Sequence, residues 1–346
     1  MAVINAALPR SSHNLQRQHL DGCRNLGLML DKYAPWAVAS QGNGWKADLE
    51  MTVLERRQGQ TQPIQVRGGQ AKGVWLSTTR AAKQGETPSL FEQERTDVAL
   101  MRAHQARWLA SVVAAGGSAF EMQTAERLVV GLGAGHVLET AITLERNTGL
   151  PYIPGSSLKG LARTQALFEF ASQLRMRLEN EQDAAELNTL DELLRSGGDN
   201  LRGQIEQLIQ RAFTDDDSVL CDWIVFVFGT QERAGEVVFV DAIYGGHDAP
   251  SYATDTMTPH YVQYYTTAGQ QPPAEDDNPN PVAFLTVDRG NPFHFGLLPR
   301  SAHAVQVNAP GVAADWLKKA LVSLGAGGKT AAGYGFFRRK SERSLT

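Results

Sequence analysis

Apolar positions along the chain alternate between a helical and a strand-like period, and the switches mark its elements. Residues 90 to 115 set Leu100, Met101, Trp108, Leu109 and Val112 on a helical period, and residues 15 to 33 predict a second helix. The Gly- and Gln-rich chain between them reads as irregular or short-strand structure. From Ser118 the texture changes. "AFEMQTAERLVVGLG" and "VLETAITLE" have the pattern of short strands around the Gly-rich "GLGAGH". A helix is then expected over about 157 to 178, with Leu158, Leu161, Ala162, Leu167, Phe168, Ala171 and Leu174 on its buried side. Two polar helices, near 181 to 195 and 200 to 213, read as an insertion. "DWIVFVFGT" is a continuous apolar run of strand length, and "ERAG" turns it into a second strand, "EVVFVDAIY".

The Pro-rich, acidic "GQQPPAEDDNPNP", residues 269 to 281, predicts an exposed, mobile loop. Strands follow near 282 to 288 and 293 to 299. The next helix, about 312 to 324, has Trp316, Leu317, Ala320, Leu321 and Leu324 on one side and Gly325 suited to its C-cap, and "GYGFFRR" forms a last strand. Strand, helix, strand pair, helix and strand is the order of an α+β, ferredoxin-like (RRM-like) βαββαβ sheet. The expected organisation is a partly helical N-terminal extension over 1–115, then this domain over 116–346, with insertions at about 180–217 and 245–281.

Composition narrows the function classes. Of 346 residues, 42% are hydrophobic and 20% charged, as in ordinary globular proteins. No apolar run approaches the roughly 18 residues needed to span a bilayer, and the N-terminus lacks the order of a secretory signal, so cytoplasmic residence is expected. Cys23 and Cys221 lie far apart, without zinc-site or disulfide spacing, and are expected to be reduced and buried. The net charge of -4 argues against coating nucleic acid through bulk charge, so any such site must be local. The C-terminal end is the basic one, with Lys318, Lys319, Lys329, Arg338, Arg339, Lys340 and Arg343 against the single acid Glu342.

Three stretches could carry chemistry. In "GLPYIPGSSLKGLART", residues 149 to 164, Pro151 and Pro154 stiffen the approach and Gly155 permits a tight turn. Ser156 or Ser157 can then cap a helix whose free N–H groups attract an anion, with Lys159 and Arg163 on one face beside them. Spacing alone favours an ordinary capped helix with two solvated bases. "LGAGGKTAAGYG", residues 324 to 335, ends like a phosphate loop but has Ser323 at the first glycine position and follows a helix, which argues against nucleotide hydrolysis. Its Gly327, Gly328, Lys329 and Thr330 can still approach a phosphate backbone closely. Tyr334, Phe336 and Phe337 read as core. "DTMTPHYVQYY" sets His260 beside Tyr261, a pair suited to acid–base chemistry, packing or base stacking. No His, Cys or carboxylate spacing supports a metal, and no cofactor is expected.

Taken in order, "GLGAGHVLETAITLERNTGLPYIPGSSLKGLART", "FGTQERAGEVVFVDA", "DTMTPHYVQYY" and "LGAGGKTAAGYG" resemble the RAMP superfamily of CRISPR effector proteins, over about residues 118 to 338. Within it the likeness is to the family of sixth Cmr subunits of type III-B complexes. The resemblance implies a RAMP fold in a ribonucleoprotein that pairs a CRISPR guide RNA with target RNA. The subunit would be non-catalytic and would cap the guide's 3′ end, touching the repeating backbone subunit, the small helical subunit and the other head subunit. It further implies that Ser156, Ser157, Lys159 and Arg163 contact the guide backbone, that Gly327, Gly328, Lys329 and Thr330 form an RNA-binding loop, and that residues 251 to 281, with His260 and Tyr261 near their base, form a thumb. Cleaving relatives hold an aspartate before "GLPYIPGSS", where the nearest acid here is Glu139. The alternative is a metal-independent RAMP endoribonuclease processing precursor RNA, with His260 or His136 as base.

Overall fold

The computed structural model describes residues 24–32, 36–41, 44–57, 60–76, 96–134, 140–176, 179–258, 270 and 281–339. In chain order these form α1 (Leu26–Lys32), β1 (Trp36–Gln41), β2 (Gly44–Arg57), β3 (Gln60–Arg67), α2 (Gly68–Trp75), α3 (Val98–Ala114) and β4 (Ser118–Thr124). There follow β5 (Tyr152–Ile153), α4 (Gly155–Gln173), α5 (Glu181–Ser196), α6 (Leu201–Ile209), α7 (Asp215–Phe228), β6 (Val237–Phe239) and β7 (Ala242–Tyr244). The chain ends through β8 (Tyr252–Met257), β9 (Val282–Val287), β10 (Pro292–Pro299), α8 (Ala302–Gln306), α9 (Ala309–Ser323) and β11 (Phe337–Arg338).

Two compact units result, and neither is one continuous stretch. The first gathers the described residues of Met1–Arg102, Val129–Pro151 and His247–Asp288; the second gathers those of Ala103–Leu128, Tyr152–Gly246 and Arg289–Thr346. In the first, β1, β2 and β3 form an antiparallel meander in which Met51 pairs with Val66 and Val53 with Ile64. Leu49, Met51 and Val53 alternate onto one face, as the period of two in a strand requires, and pack with Met29, Ala71, Trp75 and Leu285. Strands β8 and β9 pair antiparallel in the same unit.

The second unit is built on an antiparallel sheet of order β11-β4-β10-β7-β5, with β6 also paired to β10. Phe293, Phe295 and Leu297 of β10 are fully buried on one face, where α9 lays Lys318 over the Phe120 ring and Phe228 stacks on Trp316. Burying each such side chain is worth about 1.5–3 kcal/mol. The alternate residues face the other way: His294 stacks on Trp108 of α3, and a Cβ on Gly296 would come within 2.7 Å of that indole. Helices therefore lie against both faces of the sheet. Phe337 is buried edge-on against Phe293 and Phe295 and belongs to the core, whereas Tyr334 and Phe336, also expected there, are half-buried.

Local expectations met the structure unevenly. The insertion helices, the last long helix and the strands at 282 to 299 stand within a few residues of their expected places. "DWIVFVFGT", expected as a strand, is the C-terminal half of α7. Its run is apolar on both sides of a helix, and periodicity cannot separate that from a buried strand. "EVVFVDAIY" breaks into β6 and β7, and "GYGFFRR" shortens to two strand residues. Residues 140–145 of "VLETAITLE" form no strand, only an isolated bridge from Leu144 to Pro151. The Gly- and Gln-rich N-terminal region, expected as irregular or short-strand structure, holds strands, one of which, β2, runs to 14 residues. On α4 the inward aromatic is Phe170 instead of Phe168. The 269–281 loop, apart from Gln270 and Pro281, lies outside the described residues, as do His136, Glu139, His260, Tyr261 and Cys23. Cys221 is free and buried, and burial pushes its thiol up to about 11.

Candidate nucleic-acid interface

Strand β5 delivers the chain to α4 through Pro154, which occupies the N-cap with an extended ψ and contributes no side-chain cap. The helix begins at Gly155, and a Cβ there would collide with the Phe239 carbonyl oxygen of β6, so the turn needs glycine for close approach. Ser156 and Ser157, expected as caps, fall inside the first turn with exposed side chains and make no capping bond. The Gly155 N–H donates instead to Asp241 Oδ1 at 2.7 Å. The Ser157 N–H donates to the Pro154 carbonyl at 3.0 Å, so two N–H groups of the first turn are satisfied from within, while both serine side chains face solvent.

Lys159 sits one turn on, half-buried, with no carboxylate partner among the described residues. Burial, then the charges of Arg300 and Arg163, hold its ammonium below the ordinary value of 10.5. Arg300 is exposed and anchored by its Nε donating to the Gly235 carbonyl at 2.9 Å. Sequence reasoning missed it, because Arg300 follows β10, 141 positions after Lys159, and only the fold brings the two charges into range. Arg163 faces elsewhere. It is paired with Asp191 of α5, which also takes Arg195 Nε at 2.8 Å, and its side chain is only 15% exposed. Of the four entrance residues expected to grip an anion, the structure gathers Ser156, Ser157 and Lys159, adds Arg300, and commits Arg163 to an internal pair.

The Gly-rich loop lies at the same end of the helix layer. Lys319 Nζ binds Glu169 Oε1 at 2.9 Å, and Ser323 Oγ meets Gln165 Oε1 at 3.0 Å. Four residues forward on α9 correspond to four residues backward on α4, so the two helices run antiparallel. The loop leaving α9 therefore points toward the α4 entrance, about 15 Å along the axis from Gln165 at 1.5 Å per residue. Within it, Lys329 has the left-handed conformation φ 59, ψ 28, rare for a side-chain-bearing residue. Ala326 and Gly335 close the loop's base through a 2.8 Å backbone bond. Gly327 is exposed, while Gly328, Lys329 and Thr330 are half-buried. Exposed or half-buried bases and serines beside an open helix N-terminus suit a phosphate chain. Among the described residues no His, Cys, Asp and Glu cluster could hold a metal ion, and no helix is long and apolar enough to cross a membrane.

The CRISPR system Cmr subunit Cmr6 of Pyrococcus furiosus (strain ATCC 43587 / DSM 3638 / JCM 8422 / Vc1) is 35% identical over 228 residues, 62% of this chain and 66% of that relative. The chain thus spans slightly under two thirds of the curated relative's length. Among solved structures, the crystal structure of Cmr6 from Pyrococcus furiosus is 31% identical, with a TM-score of 0.41 over 65% of this chain and 98% of that one. A chain in the cryo-EM structure of the type III-B Cmr-beta complex bound to cognate target RNA is 19% identical, with a TM-score of 0.46 over 72% of this chain and 69% of that one. The model of the RAMP superfamily matches residues 121–338, a span that takes in both the α4 entrance and the Gly-rich loop, and this chain belongs to that superfamily.

Proposed function

We propose that this chain is a non-catalytic, RNA-binding structural subunit of a type III-B CRISPR (Cmr) ribonucleoprotein in antiviral defence, capping the backbone at the 3′ end of the guide RNA. The observation that carries the reading is the α4 entrance, a helix N-terminus with two exposed serines where Lys159 and Arg300 repel each other and Lys159 has no carboxylate partner among the described residues. A phosphate there would relieve that repulsion, accept from the serine hydroxyls and sit at the positive end of the helix dipole. Similarity to a Cmr6 subunit supports the assembly, and the partners are then guide RNA, target RNA and the other Cmr subunits. A ferredoxin-like core in the second unit is part of the same reading. Ordering its strands β11, β4, β10 and then β6 with β7 gives the fourth, first, third and second strands of βαββαβ, with α4 and α9 as its two helices. Cytoplasmic residence goes with such a role.

The test is a complex reconstituted with Lys159→Ala and Arg300→Ala together. Guide RNA affinity is expected to fall about tenfold or more, since each lost phosphate contact removes a counterion-release contribution, and the guide's 3′ end should become nuclease-sensitive. Unchanged affinity and protection would place the RNA contact elsewhere. Incubation of the purified chain with repeat RNA in EDTA separates this reading from a cleaving one, in which a unique product appears.

A further inference from the structure

Helix α7 is apolar on two sides, and this chain covers one of them. Asp217, Cys221, Ile224, Val227 and Phe228 face the core. On the opposite side Val219, Trp223 and Phe226 meet His303 and Val307 across an open groove of about 280 Å³. Helices apolar all round are ordinarily enclosed all round. The rings are already ordered, with Trp223 edge-on to Phe226 at 5.9 Å and Phe226 edge-on to His303 at 5.6 Å. Val219 beside them is 56% exposed, and Val307, just past α8, is half-buried on the facing wall.

Charge selects among occupants. Asp215, Asp216 and Asp222 lie four and three positions before and three after Val219, and so border the same helical stripe. Arg202 pairs with Asp222 at 2.7 Å, leaving an acidic excess on this rim. That rim repels a phosphate backbone. It would also oppose itself across a two-fold contact between copies of this chain. We propose that the α7–α8 groove docks an aliphatic helix, flanked by Lys or Arg, from another protein chain. Such a helix sets side chains at i, i+3 or i+4 and i+7 against Val219, Trp223 and Phe226 and its cations against the three aspartates. The inference deepens the subunit reading by assigning a protein-facing surface, distinct from the phosphate-facing α4 entrance.

The experiment places the photo-crosslinking amino acid p-benzoylphenylalanine at the exposed position of Val219 in the full chain, in its host, and maps crosslinked peptides after nuclease treatment. The expected product is one protein adduct within an apolar helix flanked by Lys or Arg. Combining the probe with Val307→Asp, which puts a carboxylate among the residues that line the groove, should cut its yield about tenfold, because a charge in an apolar anchor site is poorly tolerated, while the melting temperature of the isolated chain stays within a few degrees of wild type. An RNA adduct, an adduct to a second copy of this chain, an adduct to an acidic segment, or no adduct overturns the proposal. Loss of the adduct with guide-end protection intact would sink the groove alone, and the converse result would sink the RNA contact alone.

Discussion

At the start of α7, Thr214 accepts from the Asp217 N–H, and Asp217 accepts in return from the Thr214 N–H, while Arg211 and Gln173 hold the same carboxylate. At the start of α4, the N-cap is a proline, both nearby serines are exposed, and Asp241 meets only the first N–H. The first helix closes its positive end with its own side chains; the second uses the Pro154 carbonyl and the distant Asp241 carboxylate and leaves its serine face open to solvent. Both ends belong to the same unit. The closed end stabilises the fold, and on the proposed reading the open end takes a phosphate.

Breaking the closed end should have the largest effect. Asp217→Ala removes a cap and leaves Arg211 without its carboxylate, and should cost about 3 kcal/mol in denaturant unfolding at pH 7 with RNA affinity unchanged. Burial by itself would raise the Asp217 carboxyl, but Arg211 and Thr214 outweigh it and hold it well below the ordinary 3.8. A depressed carboxylate stabilises the fold above its unfolded value and loses that contribution as pH falls, so the gap between wild type and variant should narrow below about pH 3.8. A constant gap from pH 7 to pH 2.5 would contradict this account.

The open end should respond with the opposite sign. Lys159→Met removes a charge that burial and Arg300 disfavour in the folded state, so the variant should melt no lower than wild type at pH 7 while guide RNA binding weakens about tenfold. A Lys pKa lowered on folding disfavours the native state below that value, and the penalty disappears as pH rises past the ordinary 10.5, so the two melting curves should converge there. A variant that loses stability at pH 7 would make Lys159 a structural residue. The smallest effect is expected from Asp241→Asn, which keeps an acceptor for the Gly155 N–H but removes a negative charge at the helix entrance. RNA affinity should rise about two- to fivefold in low salt and by less in high salt, and a fall would show that Asp241 orders the entrance more than it competes for it.

Local sequence signals located the α4 entrance and the Gly-rich loop better than they located the residues these meet. The "PYIPGSSLKG" run marked an open helix entrance because Pro, Gly and Ser act on their own neighbours, over three or four residues. Arg163 was misleading for the same reason. Its spacing from Lys159 puts both on adjacent turns, but which way it turns depends on Asp191, 28 residues away on an inserted helix. The strand expected in "DWIVFVFGT" failed where a helix has two apolar faces, and that failure also exposed the α7–α8 groove. His260 and Tyr261 lie outside the described residues, so they add nothing to either end of the comparison.

Sequence by itself determined the mixed α+β character, most helices of the second unit, the glycine at the α4 entrance and the core role of Phe337, because period, capping chemistry and turn chemistry are short-range. Only the tertiary structure decided that α4 and α9 run antiparallel, so that the Gly-rich loop follows the end of α9 level with Gln165, and that Arg300 brings a second charge to Lys159. Those outcomes depend on sheet order and helix packing between residues more than a hundred positions apart. Over such separations no local pattern sets which charges meet; the burial of Phe293, Phe295 and Leu297 between helices sets it instead.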